Sequence, residues 1–280
     1  MTDITQRLGN PKALSSARTI AHAAVQPLTK SARANLRPVT DDSHSNLQWS
    51  TNVQMFLTHD LGEYAGRHQI GLSLAPLRLI VLRDRQNIDE LSLEGQSLPQ
   101  VEDWLDHRLQ DLGLEPASSA QIPYALPDDV ADLKGFSEGN AGLDSLAAWF
   151  SLAADTLENF ALELSDLDPG PSAIRCWPHH FDIATYVALE RGDVETARGI
   201  GVGLSPGDDA YDQPYFYVNP WPRLDPTGLP NAIAPGHWHV EGFVGSIATG
   251  AEILALKDPS ATTSRFLLGS FKASRGVLEA

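Results

Sequence analysis

The sequence predicts an α+β fold: a mostly antiparallel sheet, or two packed sheets, flanked by about four helices. Several runs alternate between apolar and polar or glycine residues, which is the pattern of half-buried strands. Other runs carry apolar residues at helical spacing. Because the strand-like runs are not separated by regular crossover helices, antiparallel pairing is favoured over a doubly wound parallel sheet.

Strands are expected in both halves of the chain. QIGLSLAPLRLIVL (69–82) alternates on both sides of Pro76, where a break is expected because proline cannot donate to a ladder, and ELSLEG follows it. Later strands are expected at AIRCWPHHFDIATYVAL (173–189), RGIGVGLS (198–205) and PYFYVNPWP (214–222). RGIGVGLS places glycines on one face, and we expect the protein's own groups, rather than a ligand, to pack closely there.

Four helices are expected, over 99–112, 143–165, 240–257 and 262–278. The helix over 143–165 has the clearest apolar stripe, which indicates core packing and no function. Gly113 follows the first helix at a position typical of a C-cap. Gly245 and Gly250 weaken the expectation for 240–257.

The charge balance excludes two classes of partner. The chain has 20 Lys and Arg against 36 Asp and Glu, a formal net charge of −16 at pH 7. Such a surface repels both nucleic-acid phosphates and anionic membranes. Cys176 is the single cysteine, so neither an intramolecular disulfide nor a cysteine-rich zinc site can form. The single cysteine makes the reducing cytoplasm the expected location. No membrane span is expected, because no apolar run approaches about 20 residues.

The predicted domain organisation is a basic N-terminal arm or helix over 1–46, loosely attached, followed by a single α+β domain over 47–280. That domain is expected to have two halves, 47–170 and 171–280. An alternative for the arm is that it lies on the acidic body of its own chain. Before residue 40, Asp3 is the one acidic residue. The basic residues of this arm are Arg7, Lys12, Arg18, Lys30, Arg33 and Arg37.

The segment CWPHHFDIATYVAL places histidines and an aspartate inside an apolar, strand-like stretch. If 176–187 is one strand, His180 and Asp182 share a face and His179 lies on the other. His180 and Asp182 then form a pair suited to acid/base chemistry. His179 is better explained as a hydrogen-bonded histidine near the core.

A second polar cluster, GHWHVEG, contains His237, His239 and Glu241. These share a face in an extended segment, whereas a helix that began near Val240 would place Glu241 in its first turn. The candidate catalytic residues are His180, Asp182, His239 and Glu241. His180, Asp182 and His239 could also ligate a divalent metal, which is not favoured because the spacing matches no metal motif.

The segment GLSPG (203–207) matches the G-x-S-x-G nucleophile motif only superficially. The residue after the serine is Pro206, which has no N–H to donate to an oxyanion. A turn at Pro206, Gly207 and Asp208 explains the stretch better.

RCWPHHFDIAT, GIGVGLSPGD, QPYFYVNPWP and GHWHVEG, in this order, resemble a family of uncharacterised bacterial proteins known as a domain of unknown function. The resemblance is strongest over about 175–252 and weaker back to Leu47. It implies membership, but no activity comes with it. It also implies that these residues occupy hallmark positions: His179, His180, Asp182, Ser205, Asp208, Tyr215, Tyr217, Trp221, His239 and Glu241.

Two functional hypotheses follow. In the first, the protein has a small-molecule site with acid/base or metal-assisted chemistry, and substrate contacts come from His179, Ser205, Asp208, Tyr215, Tyr217 and Trp221. In the second, the same polar residues form a buried hydrogen-bond network in a binding or structural module. Exposure to a cleft discriminates between them. Ligand, cofactor and oligomeric state stay open.

Overall fold

Two antiparallel sheets and seven α-helices make up the computed structural model, which describes residues 4–62, 67–137, 141–192 and 196–280. This confirms the predicted α+β class. The helices are α1 (Ile4–Leu8), α2 (Ser15–Asn35), α3 (Leu98–Asp111), α4 (Asp128–Ala131), α5 (Leu143–Glu163), α6 (Gly250–Leu254) and α7 (Pro259–Leu278). The strands are β1 (Gln48–Ser50), β2 (Met55–Leu57), β3 (His68–Leu74), β4 (Leu77–Arg83), β5 (Gln86–Ser92), β6 (Gly170–Pro171), β7 (Arg175–Trp177), β8 (Asp182–Ala188), β9 (Gly199–Ser205), β10 (Tyr215–Trp221), β11 (His237–His239) and β12 (Gly245–Thr249).

The chain forms two compact units that do not follow the predicted boundary at residue 170. The N-terminal unit consists of Leu14–Ala147 and Cys176–Phe181. The C-terminal unit consists of Met1–Ala13, Ala148–Arg175 and Asp182–Ala280. Six residues from late in the chain join the N-terminal unit, because Cys176 and Leu47 exchange two backbone hydrogen bonds of 2.7 and 2.9 Å.

The N-terminal unit is built on a meander with the strand order β1-β2-β3-β4-β5. Pro76 lies in the tight turn between β3 and β4, where Leu74 pairs with Leu77. A proline is tolerated there because a turn residue donates no ladder hydrogen bond. The predicted break at Pro76 is therefore a hairpin turn.

The predicted loose arm over 1–46 is wrong, because α2 is a central helix of the N-terminal unit. Ala21, Ala24 and Leu28 of this helix are fully buried. Alanine is the best helix former and lets neighbouring elements approach closely, so the alanine-rich sequence favours a buried helix. Two of the basic residues form ion pairs within the unit: Lys30 with Glu102 at 2.5 Å and Arg33 with Asp42 at 2.8 Å.

The C-terminal unit is built on a sheet with the order β11-β12-β10-β9-β8-β6. One face is apolar and packs against α7, where the Ser246 and Ser270 hydroxyls lie 2.9 Å apart. Val202, Phe216 and Val218 on this face are fully buried. Successive strand residues point to opposite faces, so the other face carries the polar side chains of β8, β9 and β10.

Three of the four predicted helices are confirmed as α3, α5 and α7, and Gly113 follows α3 with a φ of +73°. The helix predicted over 240–257 is wrong, because its centre is β12, which pairs with both β10 and β11. Only its end is helical. Thr249 and Glu252 form a capping box that begins α6.

No helix in the described ranges combines the length and the apolar character needed to cross a membrane.

Candidate functional site

The PHHF segment, residues 178–181, is a turn between two strands. This corrects the prediction of one strand over 173–189. The Trp177 carbonyl accepts the N–H groups of His180 and Phe181 at 3.2 and 2.7 Å. Phe181 has a φ of +57°, a left-handed conformation that no strand contains. His180 and Asp182 therefore do not share the face of one strand. His180 belongs to the N-terminal unit and Asp182 to the C-terminal unit.

The PHHF turn is attached to α2 inside the N-terminal unit. The Phe181 ring is 1% exposed and stacks on His22 with centroids 5.2 Å apart. The Pro178 carbonyl accepts hydrogen bonds from His22 Nε2 at 2.8 Å and Gln26 Nε2 at 3.1 Å. The turn is thus held by aromatic packing and by two side-chain donors.

His179 packs among aromatic rings. Its ring centroid lies 4.3 Å from that of His180 and 5.7 Å from that of Tyr124. Burial lowers the pKa of His179 to about 4, and the neighbouring His180 acts in the same direction. Burial also lowers the pKa of His22 to about 4. Both imidazoles are therefore neutral at neutral pH, which suits packing better than proton transfer.

The polar face of the C-terminal sheet brings together most of the other predicted residues. Tyr215 lies directly opposite Ser205 on β9 and Thr249 on β12. Tyr217 lies opposite Gly203, which is opposite Ala184 on β8. Directly paired residues point to the same side of a sheet, so one continuous surface results.

Two tyrosine–aspartate hydrogen bonds lie on this face. The Tyr217 hydroxyl donates to Asp182 Oδ2. The Tyr215 hydroxyl donates to Asp208 Oδ2 at 2.5 Å. Burial raises the pKa of Tyr215 far above its ordinary value, and the hydrogen bond to Asp208 raises it further. Both phenols therefore hold carboxylates in place as hydrogen-bond donors.

The SPGD loop positions a residue that the sequence did not single out, Tyr211. Asp208 Oδ1 accepts the backbone N–H groups of Ala210 and Tyr211 at 2.9 and 3.0 Å. The Asp208 N–H donates to the Tyr211 carbonyl at 2.8 Å, and Gly207 has a φ of +114°. This confirms the turn expected at Pro206, Gly207 and Asp208.

Tyr211 lies between two histidines of β11. Its hydroxyl oxygen is 3.1 Å from His237 Nε2 and 3.0 Å from His239 Nδ1. His237 and His239 point to the same side because they are two residues apart on one strand. The result is a His–Tyr–His bridge on the polar side of the sheet.

The outer nitrogens of both imidazoles also have partners. His237 Nδ1 lies 3.4 Å from Glu252 Oε1, and His239 Nε2 bonds the Glu241 backbone carbonyl. Phe243 stacks on the His239 ring with centroids 4.3 Å apart. The side chains of His237 and Glu252 are 44% and 36% exposed, so the bridge is open to solvent on this side.

Burial raises the pKa of Tyr211 above its ordinary value, and the carboxylates of Glu252, Asp208 and Glu241 raise it further. Tyr211 is therefore a neutral phenol at neutral pH. It can donate one hydrogen bond through its proton and accept others through its oxygen.

The site residues predicted from sequence separate into two groups. Eight lie in the C-terminal unit, seven of them on or beside the polar face and the eighth, Trp221, at the end of β10 with 45% of its surface exposed. His179 and His180 belong to the N-terminal unit. The seven are Asp182, Ser205, Asp208, Tyr215, Tyr217, His239 and Glu241.

Sequence reasoning missed Tyr211 and Glu252, and it gave His237 no role. The segment T-x-x-E over 249–252 is a capping-box signature and could have identified Glu252. Tyr211 carries no comparable signal, because only the SPGD turn brings it to the histidines.

Among the residues that the structure describes, no three His, Cys, Asp or Glu side chains are grouped so that they could hold a metal ion. The alternative metal set of His180, Asp182 and His239 thus gains no support.

A scan against family models, a search of curated proteins and a search of solved structures each gave no match.

Proposed function

We propose that the C-terminal unit contains a small-molecule site in which Tyr211, held between His237 and His239, performs acid/base chemistry. The observation that carries this proposal is the pair of contacts of about 3 Å between one phenol oxygen and two imidazoles. Histidine is the side chain best suited to exchange protons near neutral pH, and tyrosine can relay a proton between two of them.

The partial exposure of the bridge supports a site rather than a structural network. A network that only stabilises the fold buries its polar groups and satisfies them internally. The His237 and Glu252 side chains are instead more than a third exposed, so a ligand can reach them. The proposal is confined to the C-terminal unit and gives His180 no role.

The surroundings of the bridge favour a neutral or cationic ligand. Carboxylates from Asp182, Asp208, Glu241 and Glu252 lie on or beside the polar face, and anionic ligands would be repelled. The Tyr211 ring, which is half-buried, offers aromatic surface for a ring or an ammonium group. Hydroxyl- or amine-bearing small molecules match both features.

The proposal also covers the partners and the location of the protein. The net charge of −16 supports a protein that binds no nucleic acid, and the single cysteine, Cys176, is consistent with a cytoplasmic location. Membership of the uncharacterised bacterial family stays a prediction, since it rests on the motifs alone.

The test is a ligand-observed NMR screen of small polar fragments, grouped as amines, neutral polyols and carboxylates. We expect amines or polyols to bind the intact protein and to lose binding in Tyr211→Phe, which removes only the hydroxyl. Tyr124→Phe is the matched control, because it removes a hydroxyl that bonds Gln26 inside the N-terminal unit. Equal binding to the intact protein and to Tyr211→Phe, or no fragment binding, would contradict the proposal.

A second function is favoured for the PHHF turn itself, which we propose is a structural lock of the N-terminal unit. The supporting observation is the attachment of Phe181 and Pro178 to His22 and Gln26 of α2. This is the network alternative, now restricted to one unit, and it is tested through Phe181 below.

A further inference from the structure

The Tyr211 bridge imposes a proton count on the two histidines. His239 Nε2 faces the Glu241 carbonyl, which only accepts, so this nitrogen carries a proton. The inner nitrogens, His237 Nε2 and His239 Nδ1, both face the Tyr211 oxygen. A phenol has one proton and can donate to only one of them.

Glu252 decides the state of the remaining nitrogen. Its Oε1 lies 3.4 Å from His237 Nδ1. At this distance an unprotonated nitrogen would be repelled by the carboxylate, whereas an N–H is attracted to it, so we place a proton on Nδ1. Both outer nitrogens then carry protons, and the phenol proton serves only one of the two inner nitrogens. The contact between the other inner nitrogen and the phenol oxygen is a hydrogen bond only if that nitrogen carries a proton of its own.

The capping box fixes Glu252 in this position. Its Oε2 accepts the Thr249 N–H at 2.8 Å and the Thr249 hydroxyl at 2.7 Å. The other carboxylate oxygen, Oε1, is the one that lies 3.4 Å from His237 Nδ1. A residue that begins α6 thus also orients a side chain of the proposed site.

We infer that Glu252 is a positioning residue that holds the proton on His237 Nδ1, so that the complete bridge contains one imidazolium, located at His237. This inference rests on the proposed function and specifies the resting state of that site. The donors then run in one direction: His237 Nδ1–H to Glu252, His237 Nε2–H to Tyr211, Tyr211 to His239, and His239 to the Glu241 carbonyl.

The imidazolium makes the site a proton donor. When the Tyr211 hydroxyl breaks its hydrogen bond to His239 Nδ1 and gives its proton to a ligand, the Nε2 proton of His237 replaces it on the phenol oxygen. His237 becomes neutral while its Nδ1–H still faces Glu252, so one proton leaves the bridge and no other charge moves. The charged groups around the bridge are Glu252 of α6, Asp208 of the SPGD loop and Glu241 after β11, and Tyr215 of β10 is the neighbouring phenol.

The test uses the full chain labelled with ¹⁵N at histidine, whose ring shifts distinguish imidazolium from each neutral tautomer. We expect His237 of the wild-type protein to show both ring nitrogens protonated at neutral pH. In Glu252→Gln the amide oxygen can keep the cap while the amide NH₂ faces Nδ1. His237 should then become neutral with its proton on Nε2, and the bridge is complete without the extra proton.

Glu241→Gln is the matched control, because it also removes one charge near Tyr211 while His239 keeps its backbone carbonyl partner. It should leave the His237 signals as in the wild type. A neutral His237 in the wild type, unchanged signals in Glu252→Gln, or an equal change in Glu241→Gln would overturn the inference. If Glu252→Gln fails to fold, a neutral His237 in the wild-type spectrum still overturns the inference. The readout needs no ligand, so failure of the fragment screen leaves it interpretable.

Discussion

At the scale of single residues, burial separates two kinds of histidine. His22 is 4% exposed, and its pKa is lowered to about 4 by burial. His237, on β11, is 44% exposed at its side chain and faces a carboxylate. Burial keeps His22 neutral and suited to packing, whereas the half-exposed His237 is accessible to a ligand of the proposed site.

The buried His22 predicts a loss of stability in mild acid. Its pKa is about 4 in the folded protein and 6.5 ordinarily, so the unfolded chain binds more protons between these values. The free energy of unfolding should therefore fall as the pH drops from 6.5 towards 4, by up to about 3 kcal/mol from His22. Urea denaturation across this range measures it.

His22→Gln is the comparison for that measurement, because a glutamine amide can still donate to the Pro178 carbonyl but does not titrate. The variant should lose less stability over the same pH range. It should keep part of the slope, since the pKa of His179 is lowered in the same direction. Identical slopes for the two proteins would show that His22 is not the group responsible.

The candidate site could be predicted from the sequence only in part, because alternation assigns side chains to faces only within a regular strand. Tyr215, Tyr217 and Ser205 lie in regular strands, where alternation assigns each side chain to a face. His180 and Asp182 were paired by the same rule, which failed because Phe181 adopts a left-handed conformation. No alternation pattern reports a single residue with positive φ.

At the scale of elements, strand β9 shows why its glycines alternate. A Cβ on Gly203 would lie 2.6 Å from the Ile183 carbonyl oxygen and 2.7 Å from the Tyr217 hydroxyl. A Cβ on Gly199 would lie 2.2 Å from the Tyr186 ring. The glycine face is therefore filled by the protein's own tyrosines, as the sequence favoured.

This packing predicts unequal effects of two alanine substitutions on the same strand. Gly203→Ala forces the backbone of β8 and the Tyr217 hydroxyl to move, and it should lower the free energy of unfolding by about 1–3 kcal/mol. At Gly201 the nearest atom to an added Cβ is the Asn219 carbonyl oxygen at 3.7 Å, an ordinary contact. Gly201→Ala should change stability by about 0.5 kcal/mol or less. Urea denaturation of both variants tests this, and equal losses would refute it.

The elements that were predicted wrongly share a cause. The prediction for 1–46 rests on its basic charge, and that for 240–257 on an apolar pattern interrupted by glycines, whereas packing against the rest of the fold decides both structures. The run over 15–35 becomes a buried helix because its alanines fit between neighbouring elements. The run over 245–249 becomes a strand because β10 and β11 supply hydrogen-bond partners on both sides. Neither partner can be identified from the local sequence.

At the scale of the whole molecule, neither compact unit is one continuous stretch of chain. The N-terminal unit takes in Cys176–Phe181, and the C-terminal unit takes in both Met1–Ala13 and the end of the chain. Each unit is therefore complete only after segments that are distant in the sequence have come together. The sequence predicted strands and helices along the chain, but it contained no signal for such an exchange of segments.

The lock formed by Phe181 predicts a large effect from one residue and almost none from its neighbour. Phe181 is 1% exposed and contacts His22 and Phe56, so Phe181→Ala should cost about 3–5 kcal/mol in the N-terminal unit. His180→Ala removes an exposed ring and should cost about 0.5 kcal/mol or less. Hydrogen exchange of the β3 and β4 amides measures the stability of this unit directly, because buried strand amides exchange only when the unit opens. Faster exchange in Phe181→Ala alone supports the lock. Faster exchange in both variants would mean that the His180 ring also holds the turn, and unchanged exchange in both would mean that the turn does not hold this unit together.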